Sequence, residues 1–339
     1  MKKIVIAVVC IISCLPALAQ QKPHYTQYIL NQYILNPAIT GIENYTDVKL
    51  SHRHQWVGVQ DAPVTTYFTI HAPIGKKDTR TSPTSFRIPG VNPRGRNYWE
   101  EYSAASPHHG VGLQIINDRT GPLNRFAAYA TYAYHLGLNA TTNLAGGFGV
   151  GMTSLSIDAS KLDFGNVSVD PAVYGNGVLN KIKPDLMAGI YVYSSDFFIG
   201  FSAQQVVPQK VSFNDNAIKT TEGKNVPHLF LTAGYRFMIG EDWNLIPSVM
   251  AKYVNPVPMQ VDLNAKLQYL DLLWVGASFR TSEGFAGMAG INISNTFNVG
   301  YSYDYTTSRL SSYSKGTHEI LIGFLIGNKY GDTCPRNVW

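Results

Sequence analysis

The chain has 339 residues, of which only 14% are charged, against about 25% in ordinary soluble domains. Aromatic residues make up 12%, with 21 Tyr, so the composition suits a surface that faces lipid. The net charge of +5 is dispersed along the chain and forms no basic stripe, which argues against a nucleic-acid partner.

Residues 1–19 read as a secretory signal: Lys2 and Lys3, an apolar run over 4–15, and Ala17-Leu18-Ala19 as a small-x-small cleavage site before Gln20. A competing reading ends a lipoprotein signal at Cys14, after Ile11-Ile12-Ser13, but Pro16 and the Ala-x-Ala site favour ordinary cleavage. The apolar run is shorter than the roughly 20 residues a spanning helix needs. After cleavage Cys334 is the only cysteine left, which excludes an intramolecular disulfide and a thiolate metal site.

Residues 20–43 carry Tyr25, Tyr28, Tyr33 and Leu35 around Asn36-Pro37. They read either as a plug or strap filling a barrel mouth, or as an arm that engages a partner. Amphipathic strands then recur at 48–56, 64–74, 110–117, 126–136, 144–157, 186–193, 197–206, 229–237, 245–253, 259–269, 272–279, 285–293, 297–305 and 318–326. Each is close to the roughly 9 to 11 residues that a tilted strand needs to cross a membrane. An even count of such strands is the pattern of an outer-membrane barrel, whose closure satisfies every backbone N–H and C=O without water. The fold expected is therefore all-β, a transmembrane antiparallel β-barrel of about 14 strands.

The strand 259–269 sets out the rule, with apolar residues at odd positions and polar ones at even positions. Val261, Leu263 and Leu267 are assigned to lipid, Asp262 and Lys266 to the lumen. The same alternation sends Arg53, Gln55, Gln114, Arg236, Gln268, Arg280, Asp304 and Glu319 inward, because Arg or Lys left in lipid costs about 2–4 kcal/mol at the midplane. Trp56, Trp243, Tyr253, Tyr269 and Tyr305, near strand ends, suit interfacial girdles. With the N-terminus in the periplasm, the short connections 137–143, 194–196, 240–243, 270–271 and 294–296 fall on the periplasmic side. The long ones near 157–185, 207–228 and 306–317 fall outside. The basic stretch 75–109 (Lys76, Lys77, Arg80, Arg87, Arg94, Arg96) is a long periplasmic exception, read as a solvated insertion or as a docking surface.

Candidates for chemistry are weak. His52 and His54 share a strand face without a carboxylate or Cys cluster beside them, and His108-His109 point to opposite faces. No G-x-S-x-G elbow occurs, and Gly146-Gly147-Phe148-Gly149-Val150-Gly151 has no following helix or Lys, so it reads as small residues in a strand. No catalytic, metal or cofactor site is expected.

Two blocks of motifs are more specific. The first holds Tyr25-Thr26-Gln27-Tyr28-Ile29-Leu30-Asn31, Leu35-Asn36-Pro37-Ala38-Ile39-Thr40-Gly41, Arg53-His54-Gln55-Trp56-Val57-Gly58 and Ala62-Pro63. The second holds Gly300-Tyr301-Ser302-Tyr303-Asp304-Tyr305, Gly316-Thr317-His318-Glu319-Ile320, Cys334-Pro335 and Trp339. Over essentially the whole mature chain this resembles the PorP/SprF family of Bacteroidota outer-membrane proteins, although the 75–109 stretch is longer than that family suggests. The resemblance implies a non-enzymatic component of the type IX secretion system that supports protein export, surface anchoring of an adhesin or gliding motility. Implied partners are outer-membrane lipid, periplasmic ring or peptidoglycan-linking components, and a secreted surface protein with a C-terminal sorting domain. Partner contact is expected at Tyr25, Tyr28, Asn36, Pro37, Gln55, Trp56, Cys334, Pro335 and Trp339, the tail 328–339 either engaging a partner or folding back on the rim. The domain reading is a signal at 1–19, a periplasmic segment or plug at 20–43, a barrel at 44–327 and a periplasmic tail at 328–339. The alternative is an outer-membrane channel for a small or hydrophobic solute.

Overall fold

The computed structural model describes residues 25–76, 103–162, 178–207, 209–211, 223–240, 242–270, 272–281, 283–294, 296–307 and 309–328. Fourteen antiparallel strands close into one barrel. They are β1 Thr46–His54, β2 Val64–Ile74, β3 His108–Thr120, β4 Leu123–Gly137, β5 Asn143–Asp158, β6 Val178–Tyr193 and β7 Phe197–Gln204. Next come β8 (His228–Tyr235, continued by Phe237–Ile239), β9 Trp243–Val254, β10 Val257–Tyr269, β11 Leu273–Arg280, β12 Gly284–Ser294, β13 Phe297–Thr306 and β14 Thr317–Ile326. Each strand pairs with its chain neighbours, and β1 pairs with β14, Thr46 opposite Ile326 and Arg53 opposite Glu319. A two-residue connection at 121–122 and another at 255–256 join hairpins at one end. That end, called here the far mouth, also carries 55–63, 159–177, 205–227 and 307–316, while β1 begins and β14 finishes at the near mouth.

Alternation decides the faces. Along β10, Gln260, Asp262, Asn264, Lys266 and Gln268 are buried and Met259 and Leu263 are exposed. Arg53, Gln114, Arg236, Arg280, Asp304 and Glu319 are buried inward as well. The outer face carries Leu231, Val275, Phe285, Ile291, Tyr301 and Phe324, all exposed. Trp243 and Tyr269 form an outward pair at the near rim, with ring centroids 4.6 Å apart. Trp56 is a correction to the girdle, because it lies half-buried in the β1–β2 turn, where its amide donates to Thr317 Oγ1 at 3.1 Å.

The strand bounds differ from the sequence reading mainly at β6, which begins at Val178 and not near 186. Its polar start pairs with β5 all the way to Val178 opposite Asp158. Strand pairing outside the apolar band needs no apolar periodicity, so that extension leaves no hydrophobic pattern. A small hairpin, 209–211 with 223–225, sits inside the connection between β7 and β8.

Leu263, in the middle of β10 and half-exposed on the outer face, gives a direct test of this assignment. Leu263→Arg is expected to lose about 2–4 kcal/mol of folding free energy in bilayers. Urea titration in phosphatidylcholine vesicles reads this, and an unchanged midpoint would place that face away from lipid.

Candidate functional site: the lumenal segment and its two anchors

Residues 25–42 run inside the barrel, and nearly all of them are buried. Their local structure follows from an internal repeat, Gln27-Tyr28-Ile29-Leu30-Asn31 followed by Gln32-Tyr33-Ile34-Leu35-Asn36. Each copy makes one 3-10 turn, Gln27–Ile29 and Gln32–Ile34, and a third turn, Pro37–Ile39, starts with Pro at its first position. Asn36 caps that third turn by accepting from the Ala38 amide at 2.9 Å, while Pro at the first position gives up an N–H that would have no partner.

The repeat presents equivalent groups to the wall at two heights. Asn264 Nδ2 donates to the Tyr28 hydroxyl at 2.6 Å, and the Tyr33 hydroxyl pairs with Thr131 Oγ1 at 2.6 Å. Asn31 Nδ2 donates to Thr69 Oγ1 at 2.9 Å, and Asn36 Nδ2 to the Ile190 carbonyl at 2.9 Å. A strand-free segment exposes backbone carbonyls, and inward side chains satisfy several of them. Gln114 donates to Tyr33 O at 2.7 Å, Ser202 to Leu35 O at 2.6 Å and Gln204 to Ile34 O at 2.9 Å. Ile29, Leu30, Ile34 and Leu35 supply the apolar part, packed with Phe230, Met250, Trp274 and Met288.

At the far mouth the anchor is a buried ion-pair knot. Arg53 reaches Asp304 at 2.6 Å and Glu319 at 3.1 Å. Arg280 reaches Asp262 and Asp304 at 3.1 Å and Glu283 at 3.2 Å. Thr26 sits at the centre: its hydroxyl accepts from Arg53 at 2.7 Å and from Arg280 at 2.8 Å and donates to Asp304 at 2.7 Å, while its amide donates to Glu319 at 2.8 Å. Two acceptor lone pairs and one proton are all a hydroxyl has, so every capacity of Thr26 is used. Beside the knot a pocket of about 110 Å³ is lined by Arg53, Gln55, Trp56, Arg280, Phe285 and Asp304, among others.

At the near mouth the anchor is made of histidines and glycines. His135 Nε2 donates to Thr40 O at 2.8 Å, His108 sits between two carbonyls with Nδ1 2.7 Å from Ser106 O and Nε2 3.1 Å from Gly41 O, and the Gly41 amide donates to His71 Nδ1 at 3.2 Å. The His108 and His135 rings stack with centroids 4.5 Å apart. A Cβ at Gly147 would come within 2.6 Å of Ala38 Cα and the Pro37 carbonyl, and one at Gly110 would strike the Thr40 backbone. Gly147 in β5 and Gly110 in β3 therefore leave the room that the segment's backbone occupies.

Of the candidate contact residues, Tyr25, Tyr28, Asn36 and Pro37 lie in the lumen, and Gln55 and Trp56 lie half-buried at the far mouth. Cys334, Pro335 and Trp339 lie outside the described residues, as do 77–102 of the long insertion. Lys76, at its start, donates to Ile42 O at 2.7 Å. His52 and His54 are exposed on the outer face while His108 is buried and His109 exposed, and no group of three or more possible metal ligands occurs among the described residues. No helix among them is long and apolar enough to cross a membrane.

The knot joins motifs far apart in sequence, Thr26, Arg53, Asp304 and Glu319, and adds Arg280 and Asp262. Alternation sends these side chains inward, but it does not say that they meet one threonine. The repeated pentapeptide is the local signal for the segment.

No curated protein matches the sequence. Among solved structures, the toluene transporter TbuX of Ralstonia pickettii superposes with a TM-score of 0.49 at 10% identity, covering 88% of this chain and 92% of that one. The Acinetobacter baumannii outer membrane protein Omp33 gives 0.43 at 9% identity, covering 84% and 100%. A Pseudomonas aeruginosa FadL homologue gives 0.42 at 9%, covering 90% and 94%. A family model describes residues 17–324 far more specifically, and on that match the chain belongs to the type IX secretion system membrane proteins PorP/SprF.

Proposed function

We propose that this barrel is a non-enzymatic outer-membrane component of type IX secretion that works through protein–protein contacts, supporting export, surface anchoring of an adhesin or gliding. The observation that carries the reading is the filled lumen. A barrel whose interior is occupied by its own residues 25–42, bonded at both mouths, offers partners its ends and rim in place of a solute path. Apart from 75–107, the near-mouth connections are short (138–142, 194–196, 240–242, 270–272 and 295–296), while the far mouth has the short connections 121–122, 255–256 and 281–283 together with the longer 159–177, 205–227 and 307–316. Short turns inside and longer loops outside are the habit of such barrels, so the near mouth is assigned to the periplasm.

On this reading the carboxy-terminal tail, with Cys334, Pro335 and Trp339, meets a periplasmic ring or peptidoglycan-linking component. Gln55 and Trp56 at the far mouth are available to a secreted protein with a sorting domain. Deleting 331–339 is expected to leave the barrel's heat-modifiable gel migration unchanged and to reduce the sorting-domain cargo recovered at the cell surface several-fold. Normal cargo display from that truncation would refute the tail's role. Small-solute flux through the intact wild-type protein in liposomes would instead favour the channel reading.

A further inference from the structure

We propose that the amino-terminal end of the mature chain leaves the barrel through the far mouth, on the opposite side of the membrane from the end of β14. The two anchors fix the direction of travel. Arg53 is the penultimate residue of β1, Arg280 the last of β11, Asp304 lies near the end of β13 and Glu319 near the start of β14, so all four ring the far mouth. Thr26 is bonded to each of them. Fifteen residues later Gly41 is held by His108, the first residue of β3, and by His71 near the end of β2, both at the near mouth. Three separate 3-10 turns carry the chain between these anchors, and a continuous 3-10 run of that length would cover at most about 30 Å, the thickness of the hydrocarbon core.

The chain cannot double back. If cleavage precedes Gln20, five residues, 20–24, stand before Tyr25. Fully extended they reach about 17 Å, well short of the near mouth. The terminal ammonium, Lys22 and His24 also favour water over a lumen already packed with the segment. The sequence reading put both termini in the periplasm, whereas Tyr25 and Asn328 lie at opposite mouths. Combined with the orientation proposed above, on which this last step rests, residues before Tyr25 face a surface partner and the tail faces a periplasmic one.

Single cysteines in the full-length protein carrying Cys334→Ser test this, because Cys10 and Cys14 belong to the signal. Lys22→Cys reports the end in question, Tyr313→Cys the far mouth and Ala140→Cys the near mouth. A membrane-impermeant maleimide–polyethylene glycol is applied to intact and to permeabilised cells, with heat-modifiable migration confirming that each variant folds. Lys22→Cys is expected to label alongside Tyr313→Cys. Labelling alongside Ala140→Cys overturns the proposal, and so does failure to label under either condition. If Ala140→Cys labels in intact cells while Tyr313→Cys needs permeabilisation, the assigned orientation is wrong, and the pairing of Lys22→Cys with Tyr313→Cys still decides the threading.

Discussion

Gly147→Val is expected to dislodge the lumenal segment and turn a closed barrel into an ion-conducting one. The inward Cβ position at Gly147 meets backbone, Ala38 Cα and the Pro37 carbonyl, both at 2.6 Å, so no rotamer change relieves the clash. Either the third 3-10 turn lifts off β5 or the hairpin bends, and overpacking of this kind costs about 1–3 kcal/mol. The neighbouring Gly146 faces outward with nothing within 4 Å of its Cβ position, so Gly146→Val is the matched control. Single-channel recording in planar bilayers should show rare or no openings for wild type and Gly146→Val, and frequent openings for Gly147→Val. Two valine variants with the same conductance would mean that the segment does not seal the lumen against this wall.

Arg280→Ala is expected to cost about 3–5 kcal/mol, because it removes one partner from a buried network and leaves charge uncompensated. Arg280 is the shared counter-ion of Asp262, Asp304 and Glu283 and also donates to Thr26. Its loss leaves Asp262 without an ion pair among the described residues and leaves Asp304 with Arg53 alone. Arg280→Lys keeps the charge but cannot reproduce the guanidinium fork that serves four partners, so it should fall between wild type and Arg280→Ala. Urea unfolding of the folded protein in detergent reads the three midpoints. Adding Asp262→Asn to Arg280→Ala should recover part of the loss, since it removes the stranded charge. Equal midpoints for all variants would show that the knot is solvated and contributes little.

Both effects depend on side chains whose direction could be read from the chain and whose contacts could not. Alternation in strands such as β10 is a local property. Asp262 and Lys266 must face away from lipid wherever the strand sits, because the cost of the opposite arrangement is set by the solvent. The glycines of β5 illustrate the limit. They are recognisable as small residues in a strand, but the need for glycine at Gly147 depends on Pro37 and Ala38, more than a hundred positions earlier, lying against it.

The segment 25–42 marks the same boundary from the other side. Its tyrosines and its Asn-Pro turn were visible, and both a plug and a partner-binding arm were compatible with them. A repeated pentapeptide can specify two 3-10 turns, but it carries no information about which mouth each turn approaches. That depends on Thr26 meeting Arg53, Arg280, Asp304 and Glu319, contributed by four strands that closure of the barrel brings together.

The sequence by itself therefore determined the class of fold, the number of strands, which residues face lipid and, through its motifs, the family. These follow from short-range periodicity and from a solvent that penalises every exposed charge and unpaired backbone group. The tertiary structure alone decided that residues 25–42 occupy the lumen, which residues hold that segment at each end, and that the chain's first and last described residues lie at opposite mouths. Those outcomes depend on contacts between positions up to 293 residues apart, as in the bond from Thr26 to Glu319, and local pattern carries no record of such distances.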